Sequence, residues 1–75
     1  MKIRFKSKEA RGEFINLRDA NKVMAHFLGM NWWPAENRLA NGTIEIVDPN
    51  RACIEINGFY MMIFMNERKY FEIVV

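Results

Sequence analysis

An α+β domain is what this sequence predicts: an N-terminal strand, a helical segment that breaks into two pieces, then a four-stranded antiparallel meander with the helix packed on one face. Apolar and charged residues alternate with period 2 at the start of the chain. An apolar stripe at helical spacing follows from Ala10 to Leu28. Beyond it, Asp48-Pro49-Asn50, Asn57-Gly58 and Asn66-Glu67-Arg68 punctuate apolar runs as turns do.

Lys2, Ile3, Arg4, Phe5 and Lys6 alternate as a half-buried strand with a basic outer face. Ser7 stands where a helix N-cap belongs, its hydroxyl free to accept an orphan amide ahead of Lys8, Glu9, Ala10 and Arg11. Ala10, Phe14 and Leu17 share one helical face, and Ala20, Val23, Met24, Phe27 and Leu28 continue it. Gly12 is costly inside a helix and Asp19 is a good cap, so two pieces should meet near residues 17 to 19. A hairpin over residues 2 to 17 is the competing arrangement. Gly29 suits a C-terminal cap, and Pro34 keeps Trp33 out of the α region, so the helix has ended by then.

Residues 30 to 42 read as irregular. The meander should occupy residues 43 to 47, 51 to 57, 59 to 65 and 69 to 75, with Asn57-Gly58 as a two-residue turn that needs positive φ at both positions. Ile44, Ile46, Ala52, Ile54, Ile56, Phe71, Ile73 and Val75 then point to the helix. The first strand is free to pair with the C-terminal one. Nothing repeats or marks a linker, so residues 1 to 75 read as one domain.

With 51% hydrophobic and 13% aromatic residues, the chain can build a core, yet domains of this length usually need a further staple. One cysteine, Cys53, makes no internal disulfide, and with the single His26 it falls short of a zinc ligand set. Oligomerisation or a partner is the staple left. MKIRFKSKEAR lacks the apolar core of a secretory signal, and the longest apolar run, Phe59 to Met65, is too short to span a bilayer, so a cytoplasmic protein without membrane contact is expected. Asn41-Gly42-Thr43 matches the glycosylation sequon but reads more simply as a turn before a strand.

Phe59-Tyr60-Met61-Met62-Ile63-Phe64-Met65 is apolar on both faces of a strand whose neighbours alternate. Its second face needs a cover. Either Met30 to Pro34 and Leu39 close over it as a lid, or a partner does, and flexible methionines mixed with rigid aromatics suit an adaptable binding surface. The expected function is therefore protein–protein interaction, with the same chain or another protein, through Trp32, Trp33, Tyr60, Met62 and Phe64. Short chains without catalytic apparatus are common among accessory and inhibitory proteins of phages and mobile elements, which associates this one with that class and no more.

Charge suggests a second reading. Residues 1 to 35 carry seven Lys or Arg against three acids and residues 36 to 75 carry four against six, a split of +4 and −2. Lys2, Arg4, Lys6, Lys8 and Arg11 could meet phosphates while aromatics stack on bases. The competing account is that the strand-one cations neutralise Glu45, Glu55 or Glu72 across a sheet, and a net charge of +2 is a weak footprint for nucleic acid. An enzyme is not expected. Cys53 and His26 pair only if the helix packs on the outward face of the Cys53 strand, and no phosphate loop, carboxylate pair, metal spacing or cofactor motif is present.

Overall fold

The computed structural model describes residues 1–75. Strand β1 (Lys2–Phe5) lies between two neighbours, β2 (Trp33–Glu36) and β7 (Phe71–Val74), in a five-stranded antiparallel sheet ordered β6-β3-β2-β1-β7, where β3 is Ile44–Ile46 and β6 is Met62–Ile63. A second, two-stranded sheet pairs β4 (Glu55–Ile56) with β5 (Phe59–Tyr60). Helices α1 (Lys8–Ile15) and α2 (Asp19–Leu28) separate β1 from β2, and a 3₁₀ helix, Met65–Tyr70, carries the chain from β6 to β7 and packs against α1. The α+β class, the early strand, the two-piece helix and the pairing of the first strand with the last are as the sequence implies.

Local chemistry sets the helix limits. Ser7 is extended and its hydroxyl accepts from the Ala10 amide at 3.0 Å, as expected of an N-cap. The break falls at Asn16 to Arg18, but Arg18 holds the cap position of α2 and Asp19 is its first helical residue, where a carboxylate still favours the positive end of the helix. Gly29 ends α2 at φ +57°. Asn57 (φ +51°) and Gly58 (φ +81°) form the predicted tight turn between β4 and β5.

The sheet differs from a consecutive meander in three places. The first is β2, inside the stretch read as irregular. Proline argues against a central strand because it cannot donate to the ladder. Here only that one bond is lost: Ala35 donates to Met1 on the β1 side, while on the β3 side the Pro34 carbonyl still accepts from Val47.

The second difference lies in residues 59 to 65. This run is not one strand, because the chain changes partner at Met61: the Met61 amide donates to Ile54 and its carbonyl accepts from Ile46. Residues before it serve the small sheet and residues after it serve the large one, which accounts for a run without simple alternation. The third is the 3₁₀ helix in place of an Asn66-Glu67-Arg68 turn, so the last strand begins at Phe71. Ala52 and Val75, assigned to the core face by alternation, are exposed.

One sheet face carries Ile3, Phe5, Ala35, Ile44, Ile46, Ile63 and Phe71 against Phe14, Met24, Ala25 and Leu28 of the helices. Four aromatics fasten the layers. Phe5 stacks on Phe71 with centroids 4.5 Å apart, and Phe14 meets Phe5, Phe71 and Tyr70 edge-on at 5.3, 5.2 and 6.3 Å. No helix is long and apolar enough to cross a membrane.

Phe14 is 0% exposed and touches both the sheet and the 3₁₀ helix. Phe14→Ala is expected to cost about 3–5 kcal/mol. A loss of that size is comparable with the whole stability of a small domain. Urea denaturation should show a collapsed midpoint or an unfolded chain; an unchanged midpoint would contradict the packing described.

Candidate protein-interaction site

An exposed apolar region is built where β6 runs into the 3₁₀ helix. Phe64 and Met65 (63% exposed) stand there in sequence, and the Met65 side chain passes over Gly42, where a built Cβ would lie 3.1 Å from the methionine methyl carbon. Gly42, at φ +80°, therefore answers both a backbone and a contact requirement. Its amide closes a turn onto the Leu39 carbonyl, and Leu39 is itself exposed. From the other side, the Arg18 guanidinium lies 4.3 Å from the centre of the Phe64 ring.

Arg18 is held there by a buried carboxylate. Glu67, 2% exposed, accepts from Arg18 Nη2 at 3.0 Å and Nε at 3.2 Å, from Asn21 Nδ2 at 2.9 Å and from the Phe64 amide at 2.9 Å. Burial by itself pushes the Glu67 carboxyl up, but its bonds to Arg18, Asn21 and the Phe64 amide outweigh burial and hold it below the usual carboxylate range. Asn21 donates to the Phe14 carbonyl as well, at 2.8 Å, leaving its own buried Oδ1 without a partner. The amide cannot be reversed, since that would set an oxygen against two acceptors.

The sequence-chosen protein-binding residues do not form one surface. Met62 and Phe64 lie on the β6 edge, and Tyr60 (57% exposed) is on the protruding β4–β5 hairpin. Trp32 stacks under the Arg4 guanidinium at 4.4 Å, on the β1–β7 side of the sheet. Trp33 packs on Phe27 at 4.7 Å and donates from its indole to the Leu28 carbonyl at 2.9 Å. The tryptophans thus engage β1 and α2, and the expected lid over residues 59 to 65 does not form; of residues 30 to 42, Gly42 meets that run, under the Met65 side chain. Reading a single strand drew these residues together on paper, whereas the partner switch at Met61 separates them. Arg18, Met65 and Glu67 were missed, because a charge whose partner is 49 residues away leaves no local pattern.

Of the basic residues, Arg4 forms a cross-strand ion pair with Glu72 at 2.8 Å, and Arg11 donates from Nη2 to the Ala25 carbonyl at 2.9 Å. Lys2, Lys6 and Lys8 are exposed. On the sheet face away from the helices, Glu36 and Glu45 stand side by side on β2 and β3. Arg51 binds Glu36 at 2.6 and 2.8 Å, and Arg38 binds Glu45 at 3.0 Å. Hydrogen bonding to Arg51 holds the Glu36 carboxyl below its ordinary range.

These ion pairs rim an open groove of about 1000 Å³ walled by Pro34, Val47 and Ile54. Its charges already satisfy one another. Cys53 gains no reactivity from its surroundings: burial first, and then the nearby Glu45 carboxylate, raise its thiol pKa. His26 is exposed on α2, as a helix-flank residue should be.

Compared with protein-family models, curated proteins and solved structures, the chain matches none.

Glu67 ties acid stability to this site. Its folded pKa is depressed, so its contribution is fully present above the unfolded value near 4.3 and is lost as pH falls through the folded value. Glu67→Gln is expected to cost about 1–3 kcal/mol at pH 7. The difference between parent and variant should shrink below about pH 4.3. Denaturation midpoints across pH 2 to 7 test this, and a difference independent of pH would contradict it.

Proposed function

We propose that this protein acts by binding another protein, using the apolar end formed by Phe64 and Met65, with Leu39 at its border. What supports the reading is one observation: large apolar side chains stand exposed where a buried carboxylate, Glu67, paired with the half-buried Arg18, braces the chain beneath them. Exposed apolar side chains that adjoin one another favour a partner surface, and Met with Phe and Arg is a composition enriched at interface cores. Methionine adapts its shape, while the Phe64 ring, pinned by Arg18, costs little to order on binding. An accessory or inhibitory role, in which a small chain occupies a surface of a larger protein, follows from such a site.

Nucleic-acid binding through the basic strand is the competing proposal. Arg4 and Arg11 already have partners within the chain, which leaves Lys2, Lys6 and Lys8 to carry it.

Two variants separate the proposals. Phe64→Ser with Met65→Ser should weaken capture of the partner from an extract of the source organism by at least about tenfold, the size expected of a hot spot. Lys2→Gln with Lys6→Gln should leave capture intact, and circular dichroism should show both variants folded. Capture that survives the first variant, or fails with the second, would move the site elsewhere. Absorbance at 260 nm that co-purifies and is released by salt would favour nucleic acid instead.

A further inference from the structure

We propose that the β7 edge is a self-pairing surface, to which a second copy of this chain adds antiparallel about a two-fold axis at Ile73. The inference does not rest on the apolar end, which lies at the opposite edge of the sheet.

Every backbone group on the two edges can be followed. In an antiparallel ladder, alternate residues turn their N–H and C=O toward one neighbour or the other. The Lys6 amide donates to the Tyr70 carbonyl, which makes Lys6 with Tyr70, Arg4 with Glu72 and Lys2 with Val74 the bonded pairs between β1 and β7. Phe71, Ile73 and Val75 therefore face outward. The Phe71 amide is used by the Arg68 carbonyl, but no bond engages the Phe71 carbonyl, either backbone group of Ile73, or the Val75 amide.

The β6 edge is different. By the same alternation, Met62 and Phe64 face outward there, since Ile46 donates to Met61. The Met62 carbonyl accepts a long bond of 3.4 Å from Arg18, the Phe64 amide donates to the Glu67 side chain and the Phe64 carbonyl accepts from the Glu67 amide, which leaves the Met62 amide as the one outward group without a bond. Charged side chains and local closure are how sheet edges are blunted, and on β7 only the outward Phe71 amide is closed in that way.

The free groups of β7 match a copy of themselves. With Ile73 opposite Ile73 of the second copy, each Ile73 donates to and accepts from the other, and each Val75 amide meets the other Phe71 carbonyl. An isologous contact of this kind requires the same patch on both sides. The side chains agree with that register. Val74, 54% exposed beside Lys2, comes to lie opposite the second copy's Glu72, and the two Glu72 carboxylates, diagonal across the axis, are each neutralised by Arg4 of their own chain. A contact this small gives a concentration-dependent dimer rather than a permanent one.

Light scattering on purified protein from micromolar to millimolar concentration should show a monomer passing into a dimer. Val74→Glu sets like charges opposite Glu72 and should weaken dimerisation by about tenfold or more, whereas Val74→Lys should dimerise at least as well as the parent. Hydrogen exchange at the Ile73 amide should slow as concentration rises, while the Glu72 amide, already facing β1, stays unchanged. A monomer throughout would overturn the proposal, as would a dimer with no effect at Ile73 or one that Val74→Lys also breaks. A dimer lost with Phe64→Ser and kept with Val74→Glu would overturn it in favour of the apolar end.

Discussion

A carboxylate withdrawn from water must be met by donors from several directions, and Glu67 meets them from three parts of the chain at once: the turn between the helices through Arg18, α2 through Asn21, and the end of β6 through the Phe64 amide. A buried charge with a missing partner costs several kcal/mol, so the arrangement is close to all-or-none. It fixes where the helix pair sits over the sheet, how β6 ends and where the 3₁₀ crossover begins. The unpartnered Asn21 oxygen is a cost accepted within the same cluster.

That cluster also explains how an apolar end can be exposed without being loose. Phe64 and Met65 follow directly from the last residue of β6, and the backbone of Phe64 is bonded to Glu67 at both its amide and its carbonyl. Arg18 then covers one side of the ring while Met65 rests over Gly42. Binding energy at such a surface is not spent on ordering the chain. The groove on the far sheet face is the opposite case, since Arg38 and Arg51 are already committed to Glu45 and Glu36.

Much of the fold was legible because its signals are local. Ser7, Gly29 and Asn57-Gly58 act within three or four residues of themselves, and the alternation of Ile3 and Phe5 survives in the structure unchanged. What was illegible is decided at a distance. Pro34 marks only that the helix has ended, and the strand it sits in reads as irregular; one ladder bond is missing there, and β1 with β3 supplies the rest. Residues 59 to 65 read as a single strand because nothing in their composition marks a change of partner at Met61. The candidate site was half legible on the same grounds: Phe64 stands out by composition, whereas Arg18 and Glu67 are ordinary surface residues until the fold brings them together.

The unequal edges of the sheet bear on how far any assembly can grow. Joining β6 of one molecule to β7 of the next would be head-to-tail, and a head-to-tail contact that fails to close into a ring continues as a filament. Arg18 and Glu67 engage the Met62 carbonyl and the Phe64 amide on the β6 edge, so a strand arriving there finds few free backbone groups to pair with. A side-chain cluster that serves folding in one molecule thus also blunts the edge at which a head-to-tail fibre would have to grow.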